Sequence, residues 1–489
     1  MLFHKKEKRR LWPYALLVFF VLIGGAGVWA YRWVKNLTPE TVFENSLVQQ
    51  IVRDQADEQG QKLFALLPQL LGIESPKTYL ILFENNTELR PAGGFIGAYA
   101  VARVSNGDIE VLKIEGTETL DRQTPETWRP VPPAPITEHL GVDRWYFRDS
   151  NWSPDFAESA QKALELYRGE GGLLANDIDV VLAITPTVLE ELLRISGPVS
   201  VEGITFDAAN VTETLEYEVE YGYAERGIVL HERKRILEPF ARVLIDRIKK
   251  TLLPRAGEYI ETFAKLAEEK QILFYSPKET LQREYGDLGI SGVVTSTGGD
   301  YLLWADANLA ALKTDHAIQR NLTYSFEKRR DGRYVATTSM EYAHTGTFDW
   351  RTTRYRTYAR VFVPRGSELV SVEGAMKTDR SAEPGTVDMG QELGKQWFGS
   401  FTSIEPGTTS TLSFIYLLPD AIGKQIENGL YTLFVQKQSG TIAHGLTLDL
   451  NFDTTISAAT PAERQEEWGD EVYRVESVLR VDRGFTVEF

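Results

Sequence analysis

The residues of this chain whose types and spacing could do chemistry are arginines, lysines and aspartates beside glycines, at the edges of predicted strands and helices. Arg90 stands just before Gly93 and Gly94, where a backbone without side chains can approach a ligand and offer N–H groups to an anion. Such residues could together clamp a pyrophosphate, while aspartates hold a divalent cation such as Mg²⁺. The candidate ligand-binding residues are Arg90, Gly93, Gly94, Asp121, Arg122, Arg148, Asp149, Arg233 and Lys234, with Asp121 and Asp149 as the candidate metal ligands.

Each of these residues also has a structural interpretation. A single arginine or aspartate at an element edge is often one half of a solvated salt bridge, and such pairs add little to stability. Gly93 and Gly94 would serve a β-bulge or a tight entry into a strand equally well. The sequence therefore leaves two alternatives for this glycine pair, the lip of a binding site or local backbone geometry.

Several common enzyme classes are disfavoured by the sequence. The chain contains no H-E-x-x-H, G-x-S-x-G, P-loop or G-x-G-x-x-G motif. Its six histidines lack metal-ligand spacing, and it has no cysteine to serve as a thiolate ligand or nucleophile. A zinc enzyme or a serine hydrolase is accordingly a poor hypothesis.

The N-terminus predicts a membrane anchor. Five Lys/Arg precede the uncharged run from Leu11 to Tyr31, which is long enough to cross a bilayer and longer than the apolar core of a signal peptide, the competing interpretation. The positive-inside rule places this end in the cytoplasm, at the plasma membrane, with the bulk of the chain extracytoplasmic. The whole chain has a net charge of −16. Because residues 1–35 carry +6, the remaining residues carry −22. So acidic a remainder argues against a nucleic-acid partner.

The pattern of elements predicts the fold class. Short apolar runs alternate with capped helices up to about residue 316, as in "DVVLAI" followed by "TVLEELLRISG", which favours an α/β domain. Beyond it, strands of four to eight residues separated by turns favour an antiparallel β-sandwich. The predicted domains are a cytoplasmic basic tail at 1–10, a transmembrane helix at 11–33, a helical stalk at 34–74, the α/β domain at 75–316 and the β-sandwich at 317–489.

Four ordered blocks resemble a family of bacterial anchored proteins known as domain of unknown function 4012. They are "NNTELRPAGGFIGAYAVARVSNGDI", "DSNWSPDFAESA", "DVVLAITPTVLEELLRISGPV" and "DANLAALKTDH". The order of elements is more distantly similar to the LytR-CpsA-Psr proteins, which move glycopolymers from a polyprenyl pyrophosphate carrier to the cell wall. That likeness implies a LytR-CpsA-Psr-like mixed sheet with helices, in which Arg90, Asp121 with Arg122, and Arg233 with Lys234 match the family's arginine-bearing segments.

The resemblance implies a function to be tested. The extracytoplasmic α/β domain of a single-pass cell-envelope protein would bind a phosphorylated envelope precursor, such as a polyprenyl-linked glycan, and an enzyme of this kind would be a phosphotransferase that attaches the glycopolymer to the cell wall. The alternative is a non-catalytic protein used for surface adhesion, or as an envelope scaffold.

Overall fold

The computed structural model describes residues 49, 58–251 and 254–489. The predicted basic tail and transmembrane helix, and most of the predicted stalk, lie outside these residues. Among the residues described, no helix is both long and apolar enough to cross a bilayer. The chain folds into two compact units. Unit 1 takes the described residues up to 84 together with 96–128 and 160–292, and unit 2 takes 85–95, 129–159 and 293–489.

Helices are concentrated in the first 290 residues, where the sequence predicts an α/β arrangement. The α-helices are α1 Glu58–Leu70, α2 Thr117–Gln123, α3 Ala134–Leu140, α4 Phe156–Gly169, α5 Pro186–Ser196, α6 Val211–Tyr217, α7 Tyr223–Glu225, α8 Leu237–Thr251, α9 Ala256–Glu268, α10 Glu279–Asp287 and α11 Asp420–Glu427. A π-helical turn, Glu218–Gly222, joins α6 to α7. The sequence predicts a helix boundary or a kink at Pro239, which lies in the first turn of α8, where its missing N–H costs no helical hydrogen bond.

Strands occur throughout the described chain and dominate after residue 300. They are β1 Lys77–Asn85, β2 Phe95–Ser105, β3 Asp108–Gly116, β4 Val180–Ile184, β5 Val199–Val201, β6 Ile204–Phe206, β7 Ile272–Tyr275, β8 Asp300–Asn308, β9 Ile318–Lys328, β10 Tyr334–His344, β11 Tyr355–Pro364, β12 Glu368–Glu373, β13 Asp388–Glu392, β14 Lys395–Ile404, β15 Thr409–Leu417, β16 Leu430–Gln436, β17 His444–Asn451, β18 Ala458–Thr460, β19 Val472–Leu479 and β20 Arg483–Glu488.

Unit 1 is built on a five-stranded sheet in the order β3-β2-β1-β4-β7, in which β1 and β4 run parallel. Asn106 and Gly107 form the predicted two-residue hairpin, since Ser105 pairs with Asp108 and both turn residues have positive φ. Helices α1, α9 and α10 pack apolar side chains such as Leu67, Ile260 and Tyr285 into the core beside the sheet. The predicted mixture of sheet and helices is therefore confirmed for this unit.

Unit 2 contains a six-stranded sheet, β12-β15-β10-β9-β17-β19, and a seven-stranded sheet, β13-β14-β11-β8-β16-β20-β18. Alternate residues of strands from both sheets fill one core, with Trp304 and Val361 from one sheet and Tyr324 and Phe414 from the other. These aromatic and branched side chains bury the inner faces of both sheets.

The strand pairing departs from the predicted purely antiparallel arrangement at two places. β16 runs parallel to β8, and β17 runs parallel to β9. The reason is that the chain passes from one sheet to the other between consecutive strands, so neighbours within a sheet are often distant in sequence. The two compact units have other boundaries than the predicted domains. Strand β8, which precedes residue 316, belongs to unit 2 as an inner strand of the seven-stranded sheet.

Two local predictions need correction. The sequence Ser153-Pro154 predicts an N-cap at Ser153, but α4 begins at Phe156, and the Asp155 side chain accepts a hydrogen bond from the N–H of Glu158, so Asp155 is the cap. The sequence after the hairpin predicts a strand that ends at Asp121 and Arg122. Instead β3 ends at Gly116, and both residues belong to helix α2, whose buried residues Thr117, Leu120 and Asp121 have helical spacing.

Candidate functional site

The sequence-predicted site residues are divided between the two units. Arg90, Gly93, Gly94, Arg148 and Asp149 belong to unit 2, while Asp121, Arg122, Arg233 and Lys234 belong to unit 1. Each group is therefore described within its own unit.

Arg90 lies at the centre of a buried polar network in unit 2. Its side chain is only 3% exposed and donates to Asp149 Oδ1 at 3.2 Å, to the Leu89 carbonyl and to the Asn308 carbonyl. The Glu88 carboxylate lies 3.5 Å from the same guanidinium, and the Phe95 ring lies against it, 5.2 Å from centroid to Cζ. Both Nη atoms therefore have partners from the protein itself, while Nε is buried without a hydrogen bond to any described residue.

Asp149, a candidate metal ligand, is also engaged by cations of unit 2. It belongs to a single 3₁₀ turn, and its Oδ2 lies 3.5 Å from Arg148 Nε while its Oδ1 accepts from Arg90. A carboxylate held between two guanidinium groups does not suit a further divalent cation. Within the part of the chain that is described, no cluster of three or more His or acidic residues has metal-binding geometry.

The network extends to residues that the sequence analysis did not select. Asp315 Oδ2 accepts from the Leu89 N–H at 2.9 Å and from Asn308 Nδ2 at 2.8 Å. Arg320 then joins Asp315 to Asp306, with 2.9 Å from its Nε to Asp306 Oδ2. We call this set the Arg90 cluster; it comprises Glu88, Arg90, Asp149, Asp306, Asn308, Asp315 and Arg320.

A signal for the missed residues was present in the sequence. Three of the four blocks that carry the family resemblance contribute to the Arg90 cluster: the block containing Arg90, the one beginning at Asp149, and "DANLAALKTDH" with Asp306, Asn308 and Asp315. Arg320 follows this last block by only a few residues. Polar residues that share such blocks are candidates for mutual contact, although nothing in their local spacing says which ones pair.

The glycine pair is packed against backbone rather than open to solvent. Residues 91–94 are all buried, and a Cβ on Gly94 would lie 2.3 Å from both the C and O atoms of Asn85. Gly93 has a φ of 152°. Its backbone lies so close to Gly440 that a Cβ added to Gly440 would lie 2.2 Å from Gly93 O. These glycines therefore allow close backbone approach within unit 2, which fits the structural alternative.

Replacing Gly94 by alanine is expected to destabilise the protein by about 1–3 kcal/mol, because the added methyl group overlaps backbone atoms that cannot rotate away. Urea unfolding of the full-length chain measures the loss. Gly484→Ala is the matched control, since a Cβ at Gly484 meets nothing within 4 Å. Equal stabilities of the two variants would contradict this account of the glycine pair.

Glu88 is a member of the Arg90 cluster whose pKa is raised. Its side chain is 18% exposed, and burial raises its pKa from 4.5 to about 7, although Arg90 and Lys313 act in the opposite direction. Nearby Asp149 and Asp315 add to the rise. The carboxyl therefore gains or loses its proton close to neutral pH.

The raised pKa of Glu88 predicts a pH-dependent stability. Between pH 4.5 and 7 the folded protein holds this proton more tightly than the unfolded chain, so stability falls as the pH rises through that range. A shift of this size corresponds to at most about 3.5 kcal/mol. Unfolding at pH 5 and 7.5 should show that Glu88→Gln loses less stability than the parent protein. The exposed control Glu383→Gln should keep the parent's pH dependence, and a Glu88→Gln profile identical to the parent's would refute the assignment.

Arg233 and Lys234 form a second polar network, in unit 1. Arg233 reaches Glu118 Oε1 at 3.0 Å and Glu220 Oε2 at 2.7 Å, and Lys234 reaches Glu118 Oε2 at 2.6 Å as well as the Gly97 carbonyl. We call Glu118, Glu220, Arg233 and Lys234 the Lys234 cluster. It joins the start of α2, the π-helical turn and the segment before α8.

The charges of the Lys234 cluster compensate one another. Burial opposes ionisation of Glu118, but Lys234 and Arg233 outweigh it and lower the pKa of that carboxyl. Burial lowers the pKa of Lys234, against the pull of Glu118, while Glu220 and Glu118 overcome burial and raise the pKa of Arg233. Two cations and two carboxylates at hydrogen-bond distance leave little net charge at this place.

The remaining two candidates of unit 1 have different surroundings. Asp121 is buried in α2, one turn beyond Glu118, whereas Arg122 is exposed and donates a 3.4 Å hydrogen bond to Thr119. The two neighbouring candidates therefore lie in different environments.

Comparisons with known proteins match part of the chain to one protein family and assign no function. Residues 74–220 match the family model described as "Protein of unknown function (DUF4012)". No curated protein matches the chain. Among solved structures, the chain is similar to a proposed nutrient-binding protein from Legionella pneumophila, at 9% identity over 39% of this chain and 71% of that one, with a TM-score of 0.24. It is also similar to an M1 zinc metallopeptidase from Deinococcus radiodurans, at 11% identity over 37% of this chain and 43% of that one, with a TM-score of 0.17. Scores this low assign neither a fold nor a function.

Proposed function

We propose that this chain, which belongs to the DUF4012 family through residues 74–220, is a membrane-anchored envelope protein that binds partner proteins without catalysing a reaction. The observation that carries the proposal is that the cations offered to a phosphate ligand by the sequence are largely neutralised by carboxylates of the same unit. Arg90 pairs with Asp149, and Arg233 and Lys234 share Glu118.

The burial of these groups supports a structural role for the Arg90 cluster. A phosphate-binding arginine needs free N–H donors that face a ligand. Arg90 instead directs its Nη atoms at Asp149 and at backbone carbonyls, and its side chain is almost fully buried. Its contacts span residues far apart in sequence, which suits a group that holds the fold of unit 2 together.

The membrane anchor is part of the proposal and rests on the sequence. Five Lys/Arg before an uncharged run of 21 residues favour an N-terminus in the cytoplasm and an extracytoplasmic C-terminus. A cysteine added after Phe489 gives a unique label site, because the chain has no cysteine of its own. In intact cells, a membrane-impermeant maleimide should label this thiol, while a thiol placed after Met1 should react only after the membrane is opened. The reverse pattern would overturn the proposed orientation.

A second candidate function, binding of a phosphorylated envelope precursor with transfer of its glycopolymer, retains one supporting observation. Arg233 and Lys234 are adjacent cations whose side chains are 21% and 13% exposed, so an anionic headgroup could reach them if Glu118 moved aside. This reading requires the ligand to displace a carboxylate that already accepts from both cations.

Thermal stabilisation separates the two candidates. Full-length protein in detergent is mixed with a polyprenyl pyrophosphate and Mg²⁺, alongside Arg233→Ala and the control Arg235→Ala, whose side chain is 51% exposed. The proposed function predicts no shift of Tm beyond that of an uncharged polyprenol for any of the three proteins. A lipid-specific rise in Tm that Arg233→Ala abolishes and Arg235→Ala keeps would overturn it in favour of precursor binding.

A further inference from the structure

The edges of the two sheets in unit 2 differ in how well they are protected against pairing with another chain. Three of the four edge strands are β12, β13 and β18. Strand β12 has a bulge between Leu369 and Ser371, and β13 and β18 are short. Bulges and short strands are common ways to block edge pairing. The fourth edge, β19, is eight residues long and regularly paired to β17 on its inner side.

The first half of β19 is covered by the segment 461–470. The N–H of Val472 donates to Asp470 Oδ1 at 2.8 Å, and the N–H of Arg474 donates to Glu463 Oε1 at 2.7 Å. The Arg474 side chain also reaches the Val472 carbonyl at 3.3 Å. The even-numbered residues therefore turn their backbone groups away from β17, since successive residues alternate in direction.

The second half of β19 continues this alternation without the cover. Glu476 and Val478 are the next residues whose backbone groups face outward, and the Val478 side chain is 53% exposed. Among the described residues, no strand pairs with β19 on this outer side. An extended segment could add to the sheet here as a new strand.

An acidic groove of about 240 Å³ lies beside this open edge, between the sheet and the segment 461–470. Its charged lining consists of Asp449, Glu463, Arg464, Glu467, Arg474 and Glu476. Arg464 pairs with Glu476 at 3.1 Å and Arg474 pairs with Asp470 at 2.8 Å, which leaves acidic groups in excess. Glu463 Oε2 is buried and accepts no hydrogen bond from any described residue, and burial raises the pKa of that carboxyl.

We propose that the edge of β19 binds an extended, basic segment of a partner protein, which adds a strand beside Glu476 and Val478 and places a Lys or Arg side chain in the groove near Glu463. The outward backbone groups supply the affinity for an extended chain, and the acidic excess selects a cationic one. A second copy of this chain fits less well, because it would bring its own Glu476 against the same acidic edge. The inference rests on the proposed partner-binding function and names the class of partner.

Fluorescence anisotropy with a labelled peptide of alternating Lys and Val tests the inference on the full-length protein in detergent. Val478→Pro removes an outward N–H from the second half of β19. The matched control is Val370→Pro, because Val370 lies at the bulge of β12 and its side chain is 52% exposed, similar to that of Val478. Glu463→Gln keeps an acceptor for the Arg474 N–H but removes one of the four carboxylates of the groove. An N-methylated peptide, unable to pair as a strand, tests the backbone contribution without altering the protein.

The expected result is saturable binding that Val478→Pro and N-methylation each weaken at least about tenfold, that Glu463→Gln weakens severalfold, and that Val370→Pro leaves unchanged. Affinity should also fall as salt rises from about 50 to about 300 mM. Equal binding by the two proline variants, equal binding of the N-methylated peptide, or self-association through β19 in place of peptide binding would each overturn the inference. Such a failure would leave the thermal test of the proposed function unaffected, because that test concerns Arg233 in unit 1.

Discussion

Replacing Arg320 by methionine is expected to destabilise the protein by about 4–5 kcal/mol, because removal of one partner of a buried ion pair leaves its counter-charges unpaired. The Arg320 side chain is 9% exposed and lies between Asp306 and Asp315, whose side chains are 1% and 4% exposed. It also donates to Tyr355 Oη at 2.7 Å. Without the guanidinium, these two buried carboxylates would lose the counter-ion that they share.

Urea unfolding followed by tryptophan fluorescence measures this loss, and Trp304 is a suitable reporter because its Nε1 lies 3.3 Å from Asp306. The control is Arg333→Met, since Arg333 is 42% exposed and pairs with the exposed Asp331, so its loss should stay within about 0.5 kcal/mol. A loss below about 1 kcal/mol would refute the proposed role of Arg320.

Arg90→Met is expected to cost about 4 kcal/mol for the same physical reason. The substitution removes the ion pair with Asp149 and the hydrogen bonds to the Leu89 and Asn308 carbonyls, all of them buried. Arg90→Lys should recover only part of the loss, because one ammonium group cannot reproduce the planar fork that reaches these partners together.

Chemical unfolding of the full-length chain again provides the measurement. Arg129→Met is the matched control in unit 2, since Arg129 is 55% exposed and its partner Asp143 is 86% exposed. If Arg90→Met and Arg129→Met were equally stable, the buried network would not hold this part of the fold. If Arg90→Met instead kept its stability and altered binding of a phosphorylated lipid, Arg90 would have the ligand-binding role first suggested by its sequence context.

Much of the secondary structure could be predicted because it depends on residues close together in the chain. The Asn106-Gly107 hairpin, strand β4 with helix α5, and the major strands of unit 2 all carry alternation or turn chemistry that a short window shows. The eight-residue helix α11 was missed, since its segment is short and lies between strong strand signals. Strand β8 was missed as well, because all nine of its residues are buried and no alternation marks it.

A reading of the sequence alone gave a resemblance to one family, the mixture of sheets and helices, and a list of charged residues near strand and helix edges. The environments of these charged residues depend on how the chain packs. Arg90 meets Asp149 and Asn308 across separations of 59 and 218 residues, and Arg233 meets Glu118 across 115. Local spacing cannot specify such pairs, because burial and charge partnership arise when distant strands pack into one core. The same candidate arginines that suggested a pyrophosphate clamp in the sequence thereby became internal counter-ions in the folded chain.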